Sequence, residues 1–138
     1  MRRTVCVFNR NRESFLGLRV APADTWLMRM KGALGKLGWQ PDDGIWLSPS
    51  RGIHTIGMLF PIDLIFLGKD KEVVHVEEHV RPFRISNVSL KATSVLELPP
   101  HTIYRTGTKV GDQIEISKAN PAPAAGEPQP ENSTAVGR

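Results

Sequence analysis

Residues 53–80, IHTIGMLFPIDLIFLGKDKEVVHVEEHV, decide how this chain is read. Within them, ILE-ASP-LEU-ILE-PHE-LEU at 62–67 is a short apolar run interrupted by one carboxylate, Asp63. A run this short, without polar alternation, is the pattern of a strand buried on both faces. Pro61 precedes its first residue, a position where the missing N–H costs no ladder bond. Gly68-Lys69-Asp70-Lys71 carries hairpin-turn chemistry, and 72–80 returns as the partner strand. Straight alternation would put Val74, Val76 and Val80 on one face and Val73, His75, Glu77 and His79 on the other. The second set is mostly polar, which predicts a half-exposed partner. Upstream, 53–55 reads as extended, and Gly57-Met58 marks a bulge or a close backbone approach.

Outward from this hairpin the chain keeps to short strands. Residues 4–8 alternate around valines, Asn9-Arg10-Asn11-Arg12 is a polar turn, and 14–20 is a partner strand. Cys6 falls in the first of these, as a small hydrophobe. Pro22-Ala23-Asp24-Thr25 signals a helix start, so a short helix is predicted over 24–31, with Arg29 and Lys31 in its last turn. Residues 35–43 are loop-like, with Trp39 as a lid over a core edge. Strands are predicted at 44–47, 93–98 and 113–116, while 86–92 reads as either loop or edge strand. Pro99-Pro100 opens a second short helix to 106, stopped by Gly107, and Val110-Gly111-Asp112 is a tight turn. Many short strands with two short helices give a mainly β fold: a compact sandwich, jelly-roll-like, or a partly closed barrel. One β-rich domain is expected over 1–117, followed by a disordered Pro/Ala-rich tail over 118–138.

Composition narrows the function. The 138 residues are enough for one core without disulfides, and the single cysteine cannot form an internal bridge. No signal-peptide run or transmembrane-length apolar span is read in the sequence, so a cytoplasmic protein is the expectation. A net charge of +4 raises nucleic-acid binding as an alternative. There is no basic helix, zinc-finger spacing or aromatic single-strand platform to support it. P-loop, G-x-G-x-x-G and G-x-S-x-G motifs are missing too, which leaves no nucleotide cradle or serine-elbow signature.

The segments His54-Thr55-Ile56-Gly57-Met58 and Phe60-Pro61-Ile62-Asp63-Leu64-Ile65-Phe66-Leu67 resemble the central motif of the bacterial and archaeal family called domain of unknown function 192. The similarity continues through Val73-Val74, Val95-Leu96-Glu97-Leu98-Pro99 and the Gly107–Asp112 stretch. Arg29 with Gly32 and Leu34 resembles a further element of that family, so that the likeness spans about 22–116. It implies a mainly β fold of sandwich or jelly-roll type. It implies no activity, because the family has no established catalytic residues to carry over.

Asp63 is the informative polar residue, since an ionised carboxylate inside a buried strand needs a partner or several hydrogen bonds. The structural expectation is an ion pair, with Arg29 as candidate partner, or acceptance of backbone N–H groups. The functional expectation is a pocket formed by Arg29, His54, Thr55, Met58 and Asp63. One base, one carboxylate and one guanidinium suit a small anionic or polyhydroxylated ligand. A binding module for such a ligand or for a protein partner is therefore the leading reading. The alternative is a small hydrolase- or isomerase-type enzyme using His54 and Asp63 as base and orienter. His75, Glu77 and His79 fall at i, i+2 and i+4. Three ligands in line on a straight strand cannot converge on one ion, so a metal set of His75 and Glu77 ranks below a solvated outer face. No cofactor is expected.

Overall fold

The short strands read from the sequence form a single curled sheet. A computed structural model of the chain describes residues 3–24, 39–53 and 59–118. Its elements are β1 (Val5–Asn9), β2 (Ser14–Ala23), β3 (Asp43–Leu47), β4 (Ile62–Leu67), β5 (Val73–Val80), β6 (Ser94–Leu98), α1 (Thr102–Thr106) and β7 (Ile114–Lys118). The strand order is β5-β4-β6-β3-β2-β1-β7. Every neighbouring pair is antiparallel except β2–β3, which is parallel. The outermost strands then approach each other at one end. Val73 N–H donates to Asp112 O at 2.8 Å, Ile114 N–H donates to Lys71 O at 3.0 Å, and Glu72 bridges to Gln113. Of the mainly β architectures open to the sequence, the partly closed barrel is the one adopted.

All six residues of β4 are buried, as the apolar run predicts. Its two faces serve different cores. Ile65 and Leu67 join Val7, Leu16, Val20, Val73, Leu96, Leu98, Ile103 and Ile114 inside the curl. Ile62, Leu64 and Phe66 join Ile45, Leu47, Ile53, Phe60 and Val95 on the outside, where Trp39 packs against them. Each such side chain is worth roughly 1.5–3 kcal/mol on burial, so the strand contributes on both sides. The close packing of the middle strands depends on Gly44. A Cβ there would lie 2.7 Å from Glu97 O and 2.8 Å from a Leu98 methyl.

The hairpin turn at 68–71 forms as read, with Gly68 N–H donating to Glu72 O at 2.9 Å. So does the Gly-Asp turn, where Gly111 takes φ 95°. Three expectations need correction. First, β2 runs through Pro22 to Ala23, three residues past the predicted strand end at Val20. Its last β1 partner is Val20, so beyond that point one side is an edge and Pro22 sacrifices no bond. Second, β5 does not alternate simply. Register shifts between Ile62/Leu64 and between Phe66/Leu67 insert extra residues. Val73 and Val76 consequently face the inner core while Val74 and Val80 face the outer one. Third, α1 is the one helix among the described residues, against two expected. Beyond Asp24, the predicted helix at 24–31 lies outside them, as do residues 119–138. No described helix is long and apolar enough to cross a membrane.

Candidate functional site

At one end of the β4–β5 hairpin the ladder skips a step. The register passes from Ile62↔Val80 to Leu64↔Glu77, so Glu78 and His79 together stand opposite Asp63. His79 absorbs the extra residue by taking φ 52°, in the left-handed region. Its N–H then donates to Asp63 Oδ1 at 2.9 Å. The other carboxylate oxygen, Oδ2, accepts the N–H of Ile103 at 2.9 Å. Ile103 is in the first turn of α1, where backbone N–H groups have no partner within the helix. His101 at the N-cap takes φ 71° and supplies no side-chain cap. Asp63, fully buried on the facing strand, takes over that role.

This arrangement ties β5 to α1 and sets two imidazoles side by side. The rings of His79 and His101 have centroids 5.8 Å apart at an interplanar angle of 37°, and both residues are exposed. Beside His101 lies a concavity of ≈ 340 Å³ lined by Trp39, Pro41, Pro99, Pro100, His101, Thr102 and Arg105. Trp39 is held edge-on against Phe60, with ring centroids 5.2 Å apart. It is thus both the expected cover on the outer core and one wall of the concavity. The Arg105 guanidinium is anchored by two long contacts of 3.4 Å to Phe15 O. Thr102 Oγ1 donates to Pro99 O at 2.7 Å, which fixes the floor of the turn.

Of the five residues predicted for a pocket, Arg29, His54, Thr55 and Met58 lie outside the described residues. Asp63 is described, and its surroundings match the structural expectation of a carboxylate that accepts backbone N–H groups. With an N–H on each oxygen and no solvent exposure, it is suited to positioning neighbours. His75 and Glu77 are not the solvated face that was expected. His75 packs its ring against Phe66, with centroids 5.0 Å apart. Glu77 accepts from Asn87 Nδ2 at 3.2 Å, and its other oxygen and His75 Nε2 are buried. His79 leaves their line because of the bulge. No three His, Cys, Asp or Glu among the described residues are grouped to hold a metal ion.

His101 and Arg105 were missed by sequence reasoning. Nothing local marks them, since the Pro99-Pro100 signal reports only a helix start. A long-range signal was available in Asp63, whose need for donors implied that some backbone segment must turn toward it.

Another buried carboxylate lies at the closed seam. Asp112 Oδ2 accepts from Asn9 Nδ2 at 3.0 Å, Arg12 Nε at 3.0 Å and Lys109 N–H at 2.9 Å. Burial pushes its pKa up. The hydrogen bonds from Asn9, Arg12 and Lys109 and the Arg12 charge outweigh that and hold it below the ordinary 3.8. Asn9 also donates to Thr108 Oγ1 at 3.0 Å, and Thr108 Oγ1 is 2.7 Å from Thr106 Oγ1. This cluster closes on itself and is structural.

The family model for domain of unknown function 192, described as "Uncharacterized ACR", matches residues 7–116. The chain belongs to this family. The match runs from Val7 in β1 through the Asp63 and Asp112 clusters to Ile116 in β7, so Asp63 and Asp112 are both inside the family's domain. No curated protein matches the sequence. Two solved structures share the fold. One, described as a proposed transcription regulator from Sinorhizobium meliloti 1021, is 20% identical with a TM-score of 0.67, covering 84% of this chain and 94% of that one. The other, a protein of unknown function from Novosphingobium aromaticivorans DSM 12444, is 22% identical with a TM-score of 0.67, covering 80% and 82%.

Proposed function

We propose that this DUF192 member is a binding module for a small anionic or polyhydroxylated ligand, seated in the concavity between Trp39 and α1. The observation that carries the reading is the composition of that wall. Trp39 and three prolines present flat apolar faces, and His101 and Arg105 present donors at one edge. Flat apolar faces pack against the ring of a sugar or a planar acid, and a guanidinium recognises carboxylate or phosphate oxygens in pairs. Asp63 contributes from beneath by holding the backbone of His79 and Ile103. Arg29, His54, Thr55 and Met58 stay candidates for the same ligand on their chemistry.

The test is a nitrogen-15 NMR titration of the full chain with monosaccharides, sugar phosphates and small dicarboxylates. Binding is expected to shift the Trp39 indole and the amides of His101, Thr102 and Arg105 together. Trp39→Ala should weaken the interaction by about tenfold or more, the scale of losing a buried aromatic contact. Absence of clustered shifts at millimolar concentration across the panel overturns the reading.

A further inference from the structure

The segment after β5 exposes several large apolar side chains close together in sequence. In residues 83–90, Phe83 is 67% exposed, Ile85 79%, Val88 65% and Leu90 82%. Scattered single hydrophobes on a surface need no explanation, but four large ones within eight residues mark an interaction site. The backbone beneath them is ordered by specific bonds. Ser86 N–H donates to Ile53 O at 2.8 Å, Ser89 N–H to Arg51 O at 2.9 Å, and Ala92 N–H to Ser89 O at 3.1 Å. The Ser86 hydroxyl accepts the Ile53 N–H at 2.8 Å. Leu90 and Lys91 are therefore the corner residues of a pinned turn, and the apolar side chains project outward from it.

Within the loop itself the charge has one sign. Residues 81–91 read Arg-Pro-Phe-Arg-Ile-Ser-Asn-Val-Ser-Leu-Lys, with three cations and no acid. Arg81, Arg84 and Lys91 are exposed, and so is Arg51, whose carbonyl anchors Ser89. Two carboxylates precede the loop: Glu77, half-buried and bonded to Asn87, and the exposed Glu78.

We infer that residues 81–91 form a docking loop for an anionic lipid surface, with Phe83, Ile85, Val88 and Leu90 entering the headgroup–acyl boundary and the exposed Lys91 and neighbouring Arg51 resting on the lipid charges. Side chains that project individually fit a soft interface better than they fit a flat protein face. Apolar insertion plus basic residues is the two-part signal that stable peripheral attachment needs. The inference is independent of the ligand concavity, because none of the loop residues lines it.

The experiment is co-sedimentation of the full chain with vesicles of phosphatidylcholine alone and of phosphatidylcholine with phosphatidylglycerol. Pelleting with the anionic vesicles, weakened by salt and much smaller with the neutral ones, is the expected result. The double variant Ile85→Ser/Leu90→Ser should bind the anionic vesicles about tenfold more weakly or worse. Its circular dichroism and thermal unfolding should match the wild type, as expected for exposed positions. Equal recovery of wild type and variant, or no pelleting with either vesicle, overturns the proposal. So does a concentration-dependent dimer that the double variant abolishes while vesicle binding is absent, which would assign the loop to a second copy of the chain.

Discussion

Asp63 and Asp112 are two carboxylates withdrawn from water at opposite ends of the same curled sheet, and they are stabilised in different ways. Asp63 is met by two backbone N–H groups, one from the β5 bulge and one from the first turn of α1. Asp112 is met by a guanidinium, a side-chain amide and a backbone N–H, within a network that also includes Thr106 and Thr108. The first joins β5 to α1 where the exposed His79 and His101 lie beside a concavity. The second fastens β1 and the turn before β7 across the closed seam. A buried acid is thus no indicator of chemistry in itself. What separates the two is where the neighbouring side chains point: those of His79 and His101 toward the surface, those of Asn9 and the threonines back into the fold.

The comparison can be broken first at Asp63. Asp63→Ala leaves two backbone donors without their acceptor and should cost about 3–6 kcal/mol, given about 1.5–3 kcal/mol for each hydrogen bond to a carboxylate. Denaturant titration at wild-type stability would remove Asp63 as the clamp. Asp112→Ala should follow at about 2–4 kcal/mol, because part of its partnership is the half-exposed Arg12, where solvent weakens the gain.

Acid sharpens the contrast further. Asp112 has a folded pKa below its ordinary value, so its contribution is fully present above about pH 4 and is lost as pH falls through the lower folded value. Asp112→Asn should therefore flatten the fall of stability with pH in the region below about pH 4. Thermal midpoints of variant and wild type that fall in parallel there would contradict this. The smallest effect is reserved for the surface pair Arg10–Glu115, at 3.8 Å with both side chains more than half exposed. Arg10→Ala should change stability by about 0.5 kcal/mol or less, and a larger loss would show that the outer face of the seam matters more than its interior.

Much of the fold was legible because short-range rules acted alone. The apolar run at 62–67 could only be a doubly buried strand, and the glycine-bearing turns at 68–71 and 110–112 had one economical conformation each. Where reading failed, a tertiary contact outweighed a local signal. The strand at 14–20 looked finished before Pro22, yet the parallel partner β3 carries it on to Ala23, because the ring nitrogen of Pro22 faces the side that β1 has already left. His75, Glu77 and His79 looked like one wet face because straight alternation was assumed. Two bulges rotate the strand, turning His75 against Phe66 and swinging His79 toward His101.

The candidate site was only half visible for the same reason. Asp63 announced itself from the sequence alone, since a charge in an apolar strand must find donors whatever the fold. Which donors it found depended on the curl of the sheet, which brings β5 and α1, separated by more than twenty residues, onto its two oxygens. The residue type dictated the need for partners, and the tertiary structure chose them, because hydrogen bonds to a buried carboxylate are short, directional and indifferent to distance along the chain.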